Sequence, residues 1–218
     1  LCLYLLSKGD IFMANIDAAF GLRPYERTGS NYNNQGVNAY PLNFDGSSAG
    51  STSLIWTGSP VIPLASGLID IVGNANGGTV PLLGVFMGCR YIATDGTPTW
   101  SAYWPGYAAI KASTEATAFV ADNPDALYVI NADGALPDAA LFANANLATA
   151  ITGTDTSGYS LGELGTATIA APAATLNCKI IGFDDQAATN AGAVDKTAAG
   201  RLAVVKLNLH YMDSTSGI

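Results

Sequence analysis

Leu202–Tyr211 reads LAVVKLNLHY, and in its second half Val205, Leu207, Leu209 and Tyr211 alternate with Lys206, Asn208 and His210. Successive side chains of a strand project to opposite faces. An alternation of this period therefore predicts a half-buried β-strand with one wet face, His210 on it. Upstream, Thr94–Thr97 (TDGT) joins two runs of strand-forming residues, and its Asp95-Gly96 pair tolerates the positive φ of a tight hairpin. Outward from these landmarks the pattern repeats. Short apolar runs are bounded by Gly, Pro, Asn or Asp, as in an all-β sandwich or barrel. Strands are predicted near Leu54–Trp56, Pro60–Pro63, Leu68–Val72, Leu82–Tyr91, Thr99–Trp104, Thr117–Ala121, Leu127–Ile130, Ala167–Ala170, Leu176–Phe183 and Leu202–Tyr211.

Two stretches depart from that pattern. Pro137–Ala150 (PDAALFANANLATA) has Pro at a first-turn position followed by good helix formers, and predicts one short helix packed across the sheet. Gln186–Gly200 (QAATNAGAVDKTAAG) lacks large apolar anchors and reads as a surface loop. The expected fold class is mainly β, an antiparallel sandwich or barrel-like domain over 54–218, with one short helix and an extended N-terminal arm over 13–53. Within the arm no periodic apolar face persists. Ala18–Tyr25 (AAFGLRPY) and Val37–Phe44 (VNAYPLNF) carry anchors on either side of a polar Gly/Asn stretch, the spacing of a segment that gains order on another surface.

Leu1–Phe12 (LCLYLLSKGDIF) is a poor secretory signal, because only Leu3–Leu6 is continuously apolar where about 7–15 residues are wanted. Lys8-Gly9-Asp10 can be encoded by codons that contain a bacterial ribosome-binding sequence, with Ile11-Phe12 as the spacer. The expectation is that residues 1–12 are an untranslated-leader artefact or a non-native extension, that the native protein starts at Met13, and that the gene is prokaryotic or phage.

Composition narrows the function. Charged residues make up 12% of the chain, against about 25% in an average domain, and there is one His. A surface so poor in charge is the kind that subunit contacts bury. The net charge of −8 and the scatter of nine basic residues argue against nucleic acid or an anionic membrane, both of which are bound through clustered Lys and Arg. No apolar run reaches the roughly 18 residues of a membrane span. Cys2, Cys89 and Cys178 form neither a Cys-x-x-Cys pair nor an even set, and read as buried thiols in a reducing compartment.

The motifs that could carry chemistry are weak. Gly46-Ser47-Ser48-Ala49-Gly50 matches a nucleophile elbow, and Asp residues then His210 follow in triad order. Its polar flanks, Asn43-Phe44-Asp45 and Ser51-Thr52-Ser53, lack the strand and helix that expose a true elbow serine. Asp122-Asn123-Pro124-Asp125 and Asp184-Asp185 lack calcium-loop spacing and fit turn chemistry. Gly73–Gly78 (GNANGG) has no following helix to cradle phosphate. Trp100, Tyr103, Trp104 and Tyr107 form an aromatic cluster that would suit sugar stacking if Trp100 and Trp104 were exposed side by side, or a core or subunit contact otherwise. No cofactor or metal site is expected.

Three stretches together resemble virion structural proteins of tailed bacteriophages, especially phages of marine bacteria and cyanobacteria: Met13–Pro24 (MANIDAAFGLRP), Leu83–Pro105 (LGVFMGCRYIATDGTPTWSAYWP) and Ala118–Ile130 (AFVADNPDALYVI). The resemblance covers roughly two thirds of the chain from Met13 onward. It implies a non-enzymatic capsid cement or decoration protein, made in the bacterial cytoplasm and bound to the outer surface of the head. There it bridges neighbouring major capsid protein subunits as a homo-oligomer, a trimer with a dimer as rival. Other virion roles (tail, neck or host adhesion) are the alternative, with a sugar-binding module or a serine hydrolase behind them. The expected arm anchors are Phe20, Leu22, Arg23, Pro24 and Tyr25, with Tyr40 further along. The expected second contact surface is the region of Trp100, Tyr103, Trp104 and Tyr107.

Overall fold

In a computed structural model, the described residues are 15–27, 36–44, 53–72, 80–148, 151–170, 176–185 and 194–213. The fold is mainly β, two antiparallel six-stranded sheets packed as a sandwich. Sheet one has the order β1 (Arg23–Arg27), β10 (Ala126–Asn131), β16 (Leu202–Leu207), β15 (Cys178–Phe183), β11 (Asn144–Leu147), β14 (Leu164–Ala170). Sheet two has the order β2 (Asn38–Pro41), β9 (Thr117–Ala121), β6 (Gly84–Ile92), β4 (Pro60–Pro63), β5 (Ile69–Ile71), with β7 (Pro98–Ser101) also paired to β6. Two short ribbons, β3 (Ile55–Trp56) with β8 (Tyr103–Trp104) and β12 (Gly153–Thr154) with β13 (Tyr159–Ser160), complete the strands.

Alternation sorts the side chains into two cores. Tyr128, Ile130, Ile180, Ala203 and Val205 of sheet one meet Val85 and Ala121 of sheet two in the core between the sheets. Phe86, Cys89, Ala118, Val120, Val61 and Ile69 point out of the opposite face of sheet two, into a second core roofed by Ile55, Trp104, Leu42, Phe44 and Ile110. Sheet two is thus covered on both faces where β6 begins. That explains why Leu82–Phe86 reads as an unbroken apolar run rather than an alternation.

Phe86 and Cys89 are three residues apart, an odd spacing that would put them on opposite faces of a regular strand, yet both enter the second core. A β-bulge between them, where β6 pairs with β9, absorbs the extra residue. Gly88 sits there at φ +129, with Ser101 O 3.0 Å from where a Cβ would be. One consequence is that Arg90 emerges on the same face as Val85 and Met87.

The segment drawn at sequence level as a separate arm, 13–53, is divided between the two sheets. Its β1 edges sheet one beside β10, and its β2 edges sheet two beside β9. Asn15 ties the start of this segment down, its Nδ2 donating to Asp195 O (2.7 Å) and Ala199 O (3.0 Å). The 53/54 boundary therefore marks no break in packing. Leu22 is buried in the core between the sheets because β1 pairs with β10.

Over the described residues 137–148 the helix expected at Pro137–Ala150 does not form. Pro137 instead leads a 3-10 turn at Asp138–Ala140, Phe142 takes φ +66, and Asn144–Leu147 becomes β11, with all four residues buried between β14 and β15. Asn146 is satisfied there, its Oδ1 accepting from Asn177 N and its own N–H donating to Thr168 Oγ1. Tertiary pairing outweighs the helix propensity of Ala and Leu. The strand predicted at Leu202–Tyr211 ends at Leu207, and His210 turns inward to bridge Leu82.

Candidate functional site: an aromatic and arginine face

The hairpin at Asp95-Gly96 forms as expected, with Gly96 at φ +91 and Thr97 N–H donating to the Asp95 carboxylate, which is held below its ordinary pKa by that contact. Its register sets Arg90 opposite Trp100 and Tyr91 opposite Thr99. Directly opposed residues share a face, so Arg90 and Trp100 stand side by side. The Arg90 guanidinium lies 5.7 Å from the Trp100 ring centre. Across the sheet Trp100 stacks on Phe119, centroids 5.4 Å apart and planes 7° from parallel, yet remains 68% exposed.

This face is continuous with the one that sheet one covers near Val85 and Ala121. Beyond Met87 sheet two overhangs its partner. One depression lies on the uncovered part, and a second adjoins it through Met87 and Ala102, between sheet two and the start of β1. One is lined by Val37, Trp100 and Phe119. The other is lined by Phe20, Arg23, Pro24, Thr57 and Tyr159. Arg23 lies 4.2 Å from the Phe20 ring centre and 5.8 Å from that of Tyr159. The fold thus brings part of the predicted N-terminal anchor set and part of the predicted aromatic set onto one surface.

Other predicted contact residues are placed elsewhere. Leu22 and Trp104 are core, and neither reaches solvent. Trp104, on the β8 ribbon, packs down onto the opposite face of sheet two, edge-on to Tyr91 at 5.9 Å, so a sugar platform of Trp100 and Trp104 side by side does not exist. Tyr107 packs under the same core, and Tyr103 is half-buried in the ribbon with β3. Tyr40 donates to Asp122 at 2.5 Å, and Asn38 donates to both oxygens of that carboxylate at 2.9 Å, closing β2 onto the turn after β9. Burial, then Asp122, pushes the Tyr40 phenol up to about 12. Tyr25 points away from both depressions, toward Asp184, whose charge, with burial and Glu26 adding, raises its phenol.

Sequence reasoning missed Arg90, Met87, Phe119 and Tyr159. Arg90 was within reach, since a hairpin centred on Asp95 places it against Trp100. Met87 was not, because the bulge that fixes its facing leaves no clear mark in the sequence beyond Gly88.

The residues considered for catalysis do not gather into a described site. His210 is 3% exposed rather than on a wet face. Its Nδ1 accepts from Met212 N–H at 3.1 Å, its Nε2 has no partner among the described residues, and burial pushes its pKa below the ordinary value. Ser48 and the Gly73–Gly78 loop lie outside the described residues. Cys89 and Cys178 are buried, and burial pushes both thiols up to about 12; Cys2 lies outside the described residues. Asn123 closes the Asx turn expected at Asp122–Asp125 by accepting from Asp125 N–H. Among the described residues no three His, Cys, Asp or Glu side chains converge as metal ligands would.

Compared with protein-family models, curated proteins and solved structures, the chain matches none.

Proposed function

We propose that this chain is a structural subunit that acts by docking its aromatic and arginine face on another protein. The observation that carries the reading is the face where exposed Trp100 and half-buried Phe119, Met87 and Phe20 stand beside two stacked arginines. Trp, Tyr and Arg are the residues in which binding energy concentrates at protein contacts. A large exposed aromatic surface is otherwise a liability for a free monomer.

The assembly proposed is the head of a tailed bacteriophage, on the resemblance of Met13–Pro24, Leu83–Pro105 and Ala118–Ile130 to virion structural proteins. As a cement protein the chain bridges neighbouring major capsid protein subunits from outside, adding buried area that must be lost before the shell can rupture. A homo-oligomer, a trimer in this proposal, engages several sites at once and gains avidity through effective concentration even where each contact is modest.

Cryo-electron microscopy of purified particles, with peptide mass spectrometry to establish the chain's presence, tests the reading. Density for this fold on the outer capsid surface, with Trp100 covered, is the expected result. Absence from the particle, or a face left bare in it, overturns the proposal. Density at the tail or neck replaces cement with another virion role.

A further inference from the structure

The chain is acidic, 17 Asp and Glu against 9 Lys and Arg, yet neither depression of the overhanging face is lined by a carboxylate among the described residues. The ion pairs of the described residues engage Lys196, Arg201 and Lys206. Arg23 and Arg90 are instead exposed and lie over the rings of Phe20, Tyr159 and Trp100. A guanidinium stacked on a ring keeps its in-plane N–H donors available, and the fork they form matches a carboxylate in two-point fashion. Stacking also pre-orders the side chain, so less rotamer freedom is lost when an acceptor arrives. Arg23 lines one depression, on whose far side a further depression shares Arg23 with Asp184, and Arg90 lies beside Trp100 at the other, with Met87 common to the two depressions of this face.

We infer that this face takes a protein segment in which an apolar side chain seated between the depressions is flanked by carboxylates that pair with Arg23 and Arg90. Charge complementarity selects this occupant. A basic or purely apolar segment would leave both guanidinium forks without acceptors. The inference rests on the docking reading above and not on the identity of the particle. Absence of the chain from virions would remove the phage assignment alone, and failure of the measurement below would remove this partner chemistry alone.

The test is a nuclear magnetic resonance titration of the full chain with a synthetic peptide of about ten residues, about 33 Å when extended. The peptide carries leucine and phenylalanine at its centre and glutamates on both sides; its analogue has glutamines in their place. The acidic peptide should shift the Trp100 indole N–H and the Arg23 and Arg90 side-chain N–H signals, and bind about ten-fold or more tightly than the analogue. Arg23→Gln with Arg90→Gln should bring the two peptides level, and Trp100→Ala should abolish binding while leaving the remaining spectrum in place. Equal affinity for both peptides, no shift at millimolar peptide, or preferential response to a neutral oligosaccharide overturns the inference. So does sedimentation showing self-association that already covers Trp100, since the occupant is then a second copy.

Discussion

Arg201 offers the sharpest test of how this charge-poor protein uses its few charges. Its side chain is 1% exposed and donates four hydrogen bonds. Nε and Nη2 donate to the two oxygens of Asp185 at 2.8 and 2.9 Å, Nη2 also to Asp138 at 2.9 Å, and Nη1 to Leu136 O at 2.7 Å. The guanidinium also lies 3.7 Å from the Phe183 ring centre. The acids it holds are much wetter, with side chains 62% exposed for Asp138 and 41% for Asp185.

That asymmetry dictates which perturbation costs more. In Arg201→Met the carboxylates return to water, and the main loss is the unmet Leu136 carbonyl, about 1–3 kcal/mol, partly offset by buried thioether. In the double variant Asp138→Asn, Asp185→Asn a buried guanidinium keeps its charge without a counter-charge, at about 3–5 kcal/mol. Urea denaturation followed by circular dichroism, with the slope checked for constancy, reads both. The expected order is wild type, then Arg201→Met, then the double Asn variant, with the last at least about 1 kcal/mol below the second. The reverse order, or no loss in the Asn variant, refutes the claim that the buried end of this network governs its energetics.

Three more outcomes follow from the same coordinates. Burial depresses the His210 pKa, so the unfolded chain binds the extra proton; stability should fall as pH drops through about 6.5, and His210→Gln should lose that slope in denaturation midpoints between pH 8 and 5. Gly84→Ala would place a Cβ 2.2 Å from Ala121 O and should unfold the protein or cost several kcal/mol, whereas Gly67→Ala, with open space at φ +78, should cost about 1–2 kcal/mol from backbone strain; thermal melts separate the two. Trp104→Ala should cost about 3–5 kcal/mol as a core truncation, while Trp100→Ala should stay within about 1 kcal/mol of wild type, and equal losses would refute the assignment of opposite faces.

The sequence made most strands visible because their alternation or apolar runs are local signals. Pro60–Pro63 and Thr117–Ala121 fall where periodicity put them. What it hid depends on partners distant in the chain. Nothing in Asn144–Leu147 announces a strand, because its stability comes from β14 and β15 on either side, and its two asparagines would favour a turn if left alone. His210 continues a good alternation on paper, but the chain leaves the sheet after Leu207 to reach Leu82, a bridge between the last described turn and the strand region of sheet two. The candidate face was legible as two separate groups of residues. That they share one surface required the bulge at Gly88 and the edge position of β1, both long-range features.

The division of strands between the sheets also orders the protein's birth on the ribosome. Every strand of sheet two lies between Asn38 and Ala121, whereas β1 must wait for β10, and β10 for Leu202–Leu207, the last strand to be made among the described residues. Sheet two can therefore close while the second half is still being made, with Val85 and Ala121 uncovered until sheet one arrives. For that interval the nascent chain presents an uncovered apolar surface, and β1 is a strand held in reserve until its partner is made.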